Sequence, residues 1–124
     1  WKQSTVEDPQ FVYFVQAREG GPVKIGLAVD PLARLGELQC GNPAELEIAE
    51  VILGSKDAEE SQHHHWREAR LRGEWFGRGY EEAILAIAQT TSLMQIELLA
   101  DSEPLHNITS LVPCYIARRW RPAA

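Results

Sequence analysis

Residues 10–17 read QFVYFVQA, and this stretch decides how the rest of the chain is interpreted. β-Branched and aromatic residues dominate it, a composition that is typical of a β-strand. Phe11 to Val15 are all apolar, so both faces are expected to be buried, as in the centre of a sheet. Gly20 and Gly21 suit a tight turn, after which residues 22–28, PVKIGLA, return as a second strand. The sequence therefore predicts an antiparallel hairpin.

A helix and a third strand are predicted to follow the hairpin. Asp30 can accept hydrogen bonds from the free amides at the start of a helix, and Pro31 suits its first turn. The helix is expected to run to about Gln39, because residues 41–43, GNP, end it. Apolar residues between positions 46 and 52 indicate a third strand that ends at Gly54.

Two further helices complete the predicted fold. The first is expected from about Lys56 to Arg70, and the second, which is amphipathic, from Tyr80 to about Leu99. The apolar stripe that should pack on the core consists of Tyr80, Ile84, Ile87, Met94 and Leu98. Pro113 favours a short edge strand at 108–116. The predicted class is α/β, of the α+β type, with a small three-stranded antiparallel sheet flanked by helices and an extra C-terminal helix and tail.

Composition limits the classes of protein to which the chain can belong. Its 124 residues suffice for one domain with its own core, and no run of about 18 apolar residues suggests a membrane span. Cys40 and Cys114 are too few for a disulfide framework, and the chain opens polar and acidic, without a signal segment. We therefore expect a cytoplasmic protein.

The net charge of −6 counts against nucleic-acid binding unless basic residues cluster on one surface. Two such clusters occur in the sequence. They are Arg67, Arg70, Arg72 and Arg78, and then Arg118, Arg119 and Arg121. The acidic balance is therefore an objection to a DNA-binding function but does not exclude it.

Tyr13 and Lys24 are the first candidates for chemistry. Each has an ordinary alternative, since tyrosines are common in buried strands and a strand lysine usually points to solvent. If both side chains lie on the same face of the hairpin, however, the ammonium group is near the phenol and favours its deprotonated form. Tyr13 would then be a candidate general base at neutral pH.

A second group of candidates suits phosphate or a metal ion. Arg34 is either an exposed helical arginine or a guanidinium that grips phosphate oxygens with two donors. Glu59 and His63 are four residues apart on one helix face, either as a surface pair or as a carboxylate ligand with an imidazole beside it. Mg²⁺ needs few protein ligands, so one carboxylate suffices. Successive helical residues point about 100° apart, so His64 and His65 cannot join His63 on one ion.

Taken together, these positions resemble the GIY-YIG nuclease superfamily. Phe11-Val12-Tyr13 stands for the first motif and Lys24-Ile25-Gly26 for the second, with spacings of eleven residues from Tyr13 to Lys24 and ten from Lys24 to Arg34. The pattern is most similar to a phage and bacterial branch of that superfamily. Its further matches are Arg34-Leu35, Leu38-Gln39, Gly41-Asn42-Pro43, Glu59, His63, Trp66, Arg70 and Gly73-Glu74-Trp75-Phe76.

The resemblance implies single-step hydrolysis of a DNA phosphodiester bond, with Mg²⁺ or Mn²⁺ as cofactor. Tyr13 would activate the attacking water, and Lys24 would hold Tyr13 as a phenolate or stabilise charge. Arg34 would neutralise the charge that develops on the phosphate. Glu59 would hold the metal, and His63 would assist proton transfer or bind phosphate.

The resemblance covers about residues 10–78, and the stretches on either side of it complete the expected division of the chain. Residues 1–9 are a lead-in, residues 10–78 the nuclease core, and residues 79–124 a C-terminal helix and extension that pack on the core. Arg34, Arg67 and Arg70 are expected to contact DNA. An attached or partner domain would supply specificity, and the long helix with the segment around Trp120 allows a homodimer.

Two alternatives to an active nuclease stay open. One is a catalytically weak module of the same type, which binds nucleic acid or a protein partner. The other is a small α/β interaction domain in which Tyr13 and Lys24 are placed by chance. The nuclease requires that Tyr13, Lys24, Arg34 and Glu59 converge, whereas the interaction domain predicts that they scatter.

Overall fold

A computed structural model of the chain describes residues 9–100. The strands are β1 (Phe11–Ala17), β2 (Val23–Ala28), β3 (Leu46–Leu53), β4 (Arg70–Arg72) and β5 (Trp75–Phe76). The helices are α1 (Pro31–Gln39), α2 (Lys56–His65) and α3 (Glu81–Ala100), with a 3₁₀ turn at Arg67–Ala69. The strands form one antiparallel sheet in the order β3-β1-β2-β5-β4. The α+β class is therefore confirmed for this part of the chain.

The predicted hairpin, first helix and third strand are confirmed. Tyr13 pairs with Gly26 on β2 and with Val51 on β3, so β1 lies between two partners as the two-sided burial of its residues predicts. Asp30 caps α1 by accepting a hydrogen bond from the Ala33 amide at 3.2 Å. These local signals fix the hairpin and the helix that carry three of the candidate residues.

Helices cover both faces of the sheet. Leu35 and Leu38 of α1 pack on the face that carries Tyr13. Trp66, which follows α2, and Ile84 of α3 pack on the opposite face. Tyr13 therefore points toward α1, and α2 lies behind the hairpin and reaches its edge.

The sheet has five strands, so the prediction of three strands is wrong. The helix predicted to reach Arg70 ends at His65, and residues 70–76 form a short hairpin, β4–β5, on the outer edge of β2. Gly73 in its turn has a φ of +54°, in the left-handed region that favours glycine. Trp66 and Phe76 belong to one buried cluster. Their burial favours a chain that leaves the helix after His65 and pairs with the sheet.

The third helix forms as predicted, but its buried face is not the predicted stripe. Four members of that stripe are 44–72% exposed, namely Tyr80, Ile87, Met94 and Leu98. The buried residues are Ile84, Ala88 and Ser92, which recur every four positions and so share one helix face. Apolar residues surround most of this helix, so periodicity did not identify the side that packs.

Gln95 of α3 covers the outer edge of β3. The Leu53 amide donates to Gln95 Oε1 at 2.7 Å, and Gln95 Nε2 donates to the Leu53 carbonyl at 2.8 Å. The amide side chain thereby forms the pair of hydrogen bonds that a residue of a neighbouring strand would form. This pairing protects part of an edge that would otherwise be open to another chain.

Part of the sequence interpretation concerns residues outside the described range. The edge strand predicted at 108–116, the second arginine cluster and Trp120 all lie outside residues 9–100. Within that range, no helix combines the length and the apolar character needed to cross a membrane.

Candidate active site

Tyr13 projects from the centre of β1 and lies across the backbone of β2. The residue is 2% exposed, and Gly26 is its pairing partner. A Cβ atom added to Gly26 would overlap the Cζ and hydroxyl oxygen of Tyr13 and would lie 2.9 Å from its Cε1. The lack of a side chain at Gly26 therefore creates the space in which the phenol ring lies.

Arg34 of α1 meets the hydroxyl end of Tyr13. Its Nη1 donates to the Glu37 carboxylate at 2.7 Å, and the guanidinium also has a hydrogen-bonding interaction with the Tyr13 hydroxyl. The bond to Glu37 and then the bond to Tyr13 raise the pKa of Arg34, which keeps the group charged. The Arg34 side chain is 43% exposed, so a cation reaches from the buried phenol to solvent.

Lys24 lies on the same face of the hairpin as Tyr13, which meets the condition set by the sequence. Lys24 precedes the pairing partner of Tyr13 by two residues, so the two are diagonal neighbours, about 7–8 Å apart. The ammonium group nevertheless donates to the Glu74 carboxylate at 2.8 Å. Arg34 is the cation that interacts with the Tyr13 hydroxyl by hydrogen bonding.

Because β5 is only two residues long, its strand pairing with β2 ends at Lys24. The Ile25 amide donates to the Glu74 carbonyl at 3.0 Å, and His63 Nε2 donates to the Ile25 carbonyl at 2.8 Å. A carbonyl oxygen can only accept a hydrogen bond, so Nε2 of His63 carries a proton in this contact. These bonds hold α2 and the β4–β5 turn at one point on the edge of the sheet.

Glu59 lies one helical turn before His63 and is only 7% exposed. Its Oε2 is 3.9 Å from His63 Nε2. Burial raises the pKa of Glu59, the negative charge of Glu74 raises it further, and His63 lowers it. Two carboxylates are therefore close together in a partly desolvated place, where a bound cation would favour their charged forms.

Glu59, His63 and Glu74 offer ligand atoms that all lie within 4.8 Å of one another. Carboxylate oxygens suit hard cations such as Mg²⁺, and an imidazole nitrogen beside them suits Mn²⁺ and other transition metals. The donor set and its spacing therefore fit a divalent cation. Within residues 9–100, neither His64 nor His65 belongs to the group, in agreement with the argument that three successive histidines cannot converge.

Glu74 is the functional candidate that the sequence did not single out. It lies in the turn of the β4–β5 hairpin and contacts Lys24 across a separation of 50 residues. Only the tertiary pairing of β5 with β2 brings the two together. The one local signal was the run Gly73-Glu74-Trp75-Phe76, which marks a turn followed by aromatic residues.

The two other arginines named as DNA contacts occupy different places. Arg67 lies in the 3₁₀ turn, and its Nη1 donates to the His64 carbonyl at 2.9 Å. Arg70 begins β4, and its guanidinium carbon is 5.4 Å from the centre of the Phe76 ring. The centre of the His63 imidazole is 5.3 Å from that of the same ring, so Arg70 adjoins the site whereas Arg67 points back to α2.

The structure thus joins two halves of a site across the β1–β2 hairpin. One half is Tyr13 with Arg34, and the other is the cluster of Glu59, His63 and Glu74, which Lys24 reaches through its bond to Glu74. The candidate residues come from β1, β2, α1, α2 and the β4–β5 turn.

Comparison with known proteins yields one match. A family model described as T5orf172 domain matches residues 10–91, which include all five strands and the first half of α3. No curated protein and no solved structure matches the chain.

This match corrects the resemblance drawn from the sequence. The matching family is that of the T5orf172 domain, a different family from the GIY-YIG nucleases, so the assignment to that superfamily is wrong. The roles that the resemblance lent to individual residues lose that support. Any function for the site must therefore be argued from its geometry and chemistry.

Proposed function

The chain belongs to the T5orf172 domain family, and on that premise we propose that it is a metal-dependent endonuclease that hydrolyses DNA phosphodiester bonds in one step. The observation that carries the proposal is the cluster of Glu59, His63 and Glu74, whose ligand atoms lie within 4.8 Å of one another. Lys24 contacts this cluster through Glu74, and Lys24 lies on the same face of the hairpin as Tyr13, with which Arg34 interacts. Hydrolysis of a phosphodiester bond is promoted by cations that stabilise the phosphate, by ligands that hold a metal ion and by a base that activates water.

Two cations in this arrangement are suited to the phosphate. Arg34 is charged, exposed and able to present two donors to non-bridging oxygens, because only Nη1 is bound to Glu37. Lys24 is largely buried and held by Glu74, so it contributes a fixed positive charge where negative charge develops. Together they offset the acidic net charge of the chain at the place where the substrate binds.

Tyr13 is suited to the role of general base. The guanidinium of Arg34 interacts with the Tyr13 hydroxyl by hydrogen bonding, so the phenol oxygen has a fixed cationic partner beside it. Gly26 fixes the position of the ring. His63, whose Nε2 is bonded to the Ile25 carbonyl, is placed to assist proton transfer or to bind phosphate.

Mg²⁺ or Mn²⁺ is the cofactor that the donor set fits, with Glu59 as the buried ligand and His63 and Glu74 beside it. A divalent ion held there would supply Lewis-acid stabilisation of the phosphate oxygens. The negative charge of Glu74 adds to the burial that raises the pKa of Glu59, and a bound cation would offset that repulsion. The protein's part is to hold the ligands, the phosphate-binding cations and the base in one geometry.

The proposal is tested with the purified chain, supercoiled plasmid DNA and Mg²⁺, Mn²⁺ or EDTA. We expect nicked or linear product with either metal ion and none in EDTA. Binding without cleavage under every condition would contradict the nuclease. It would favour a module that binds nucleic acid through Arg34 and Arg70 and performs no chemistry.

Gly26→Ala should reduce cleavage at least about tenfold, because the new methyl group occupies the space of the Tyr13 ring and displaces its hydroxyl. Overpacking of this kind also costs about 1–3 kcal/mol of unfolding free energy. Single-turnover cleavage and urea unfolding measure the two effects.

Gly36→Ala is the matched control, since Gly36 lies within α1 and its added Cβ meets no atom within 4 Å. It should leave cleavage unchanged and raise the unfolding free energy by about 0.5–1 kcal/mol. Full activity in folded Gly26→Ala protein would show that the position of the Tyr13 hydroxyl is not important.

Arg70→Gln should weaken the binding of duplex DNA and make it less sensitive to salt. One lost phosphate contact lowers the slope of log affinity against log salt concentration by about 0.9. Arg18→Gln is the control, because Arg18 is paired with Glu45 at 2.9 Å and with Glu47 at 3.4 Å, away from the site. Equal slopes for the parent and Arg70→Gln, measured by anisotropy titration, would remove Arg70 from the interface.

A further inference from the structure

A small cleft lies beside the candidate active site and plays no part in the proposed chemistry. It has a volume of about 200 Å³ and lies where α2 gives way to the 3₁₀ turn. Its lining residues are His65, Trp66, Arg67, Glu68, Ala69 and Tyr80. Sites that enclose a whole small molecule are larger, about 300–1,000 Å³, so this cleft suits a single planar ring.

Aromatic side chains surround the cleft. The centre of the Trp66 ring is 4.7 Å from that of His65, in an edge-to-face contact, and 6.3 Å from that of Tyr80. Trp66 is buried, whereas Tyr80 is 44% exposed and can present its ring face to a ligand. Stacking on such a face is the contact by which proteins hold unpaired bases.

Polar groups in the lining select for an uncharged ring that carries donors and acceptors. Arg67 is held in place by its bond to the His64 carbonyl, and the acidic residue Glu68 also lines the cleft. A phosphate would meet the repulsion of Glu68, whereas a base can accept from the guanidinium and donate to the carboxylate. The balance of charge therefore favours a nucleobase over a phosphate.

The position of the cleft relates it to the metal-ligand cluster. His65 follows Glu59 by six residues on α2, which corresponds to about 9 Å along the helix axis at 1.5 Å per residue. Bases in an intact duplex face the partner strand and cannot reach such a cleft, whereas an unpaired base can.

We propose that this cleft binds an unpaired nucleobase of the DNA whose phosphodiester bond is held at the metal-ligand cluster. The inference rests on the proposed nuclease function and adds a substrate class to it. Substrates would be single strands, or duplexes with a flap, gap or mismatch near the cleavage position. Tyr80 is a specificity-determining residue in this account and takes no part in bond cleavage.

The test is an anisotropy titration in EDTA, which prevents cleavage, with a labelled single-stranded oligonucleotide and a blunt duplex. Tyr80→Leu keeps an apolar side chain but removes the stacking face, and it should weaken single-strand binding about 5- to 100-fold. Duplex affinity should change less than about twofold, because phosphate contacts dominate there. Tyr80→Phe should bind as the parent does, and so should Met94→Ala, an exposed apolar control elsewhere on α3.

Three results would overturn the inference. They are parent-like single-strand binding by Tyr80→Leu, an equal loss for single strand and duplex, and a parent protein that binds no single strand. If Tyr80→Leu does not fold, single abasic positions moved along the oligonucleotide test the same point, and the loss of affinity should be confined to one position. The plasmid assay in Mg²⁺ or Mn²⁺ judges the nuclease separately, because the binding titrations need neither metal nor cleavage.

Discussion

Glu59→Gln protein should fold and bind DNA but should cleave it at least about 100-fold more slowly than the parent. Glu59 is the buried member of the ligand cluster, and glutamine keeps its shape but lacks the charge that a divalent cation requires. Loss of a direct ligand should cost more than the 10- to 100-fold typical of outer-shell partners. Single-turnover cleavage at saturating Mn²⁺ measures the effect, and cleavage within a few-fold of the parent would contradict the role of Glu59.

The same substitution should stabilise the metal-free protein at neutral pH. Folding raises the pKa of Glu59, so the folded state holds the carboxyl proton more tightly than the unfolded chain does. The folded state therefore loses stability as the pH rises from the ordinary pKa of glutamate through the raised pKa of Glu59. Below both values the carboxyl group is neutral in the folded and unfolded states, and the difference between parent and variant should disappear. Removal of a destabilising functional group typically gains about 0.5–2 kcal/mol. Urea unfolding in EDTA across this pH range measures the effect.

In the presence of metal ions, the parent should become more stable than Glu59→Gln protein. Mn²⁺ binds the folded parent and raises its unfolding temperature, whereas Glu59→Gln should gain much less. Because a ligand must be deprotonated, metal affinity and cleavage should both rise with pH through the raised pKa of Glu59. Equal metal-induced shifts for the two proteins would place the ion elsewhere.

Tyr13→Phe should lower the cleavage rate about 10²- to 10⁴-fold, the range expected when a general base is removed. The substitution keeps the ring that fills the space above Gly26 and deletes only the hydroxyl that interacts with Arg34. Stability should change by only about 0.5–1.5 kcal/mol, the net contribution of one hydrogen bond. Single-turnover rates at saturating DNA separate the chemical step from binding.

Gly36→Ala provides the comparison for Tyr13→Phe, since it changes a residue of α1 whose added Cβ meets no atom within 4 Å. It should cleave at the parent rate. If Tyr13→Phe cleaves within a few-fold of the parent, Tyr13 is not the base. Nδ1 of His63 would then be the next group to test, because His63 Nε2 is already bonded to the Ile25 carbonyl.

The part of the fold that the sequence predicted is the part encoded by short-range chemistry. The glycine pair at 20–21 and the apolar run around Tyr13 specify a central hairpin, and Asp30 with Pro31 specifies the start of α1. The four-residue spacing of Glu59 and His63 placed them on one helix face, where the structure has them. Each inference used residues that are neighbours in the chain.

The remainder depended on contacts between distant residues. Nothing local reveals that the polar helix beginning at Lys56 stops at His65, because the cause is burial of Trp66 and Phe76 in one cluster. β5 is two residues long and shows no alternation that could be recognised. Glu74, which lies in that hairpin turn, was therefore missed, and Arg67, which falls within the predicted helix, lies in the 3₁₀ turn instead.

The central claim is that one metal-dependent site in this chain hydrolyses DNA. The most direct test is plasmid cleavage by parent and Glu59→Gln proteins, purified identically and assayed side by side with Mn²⁺ and with EDTA. The site geometry predicts cleavage by the parent in Mn²⁺ only, and none by the variant, which also excludes a contaminating nuclease. Equal cleavage by both proteins, or no cleavage by a folded parent that binds Mn²⁺ and DNA, would contradict the claim.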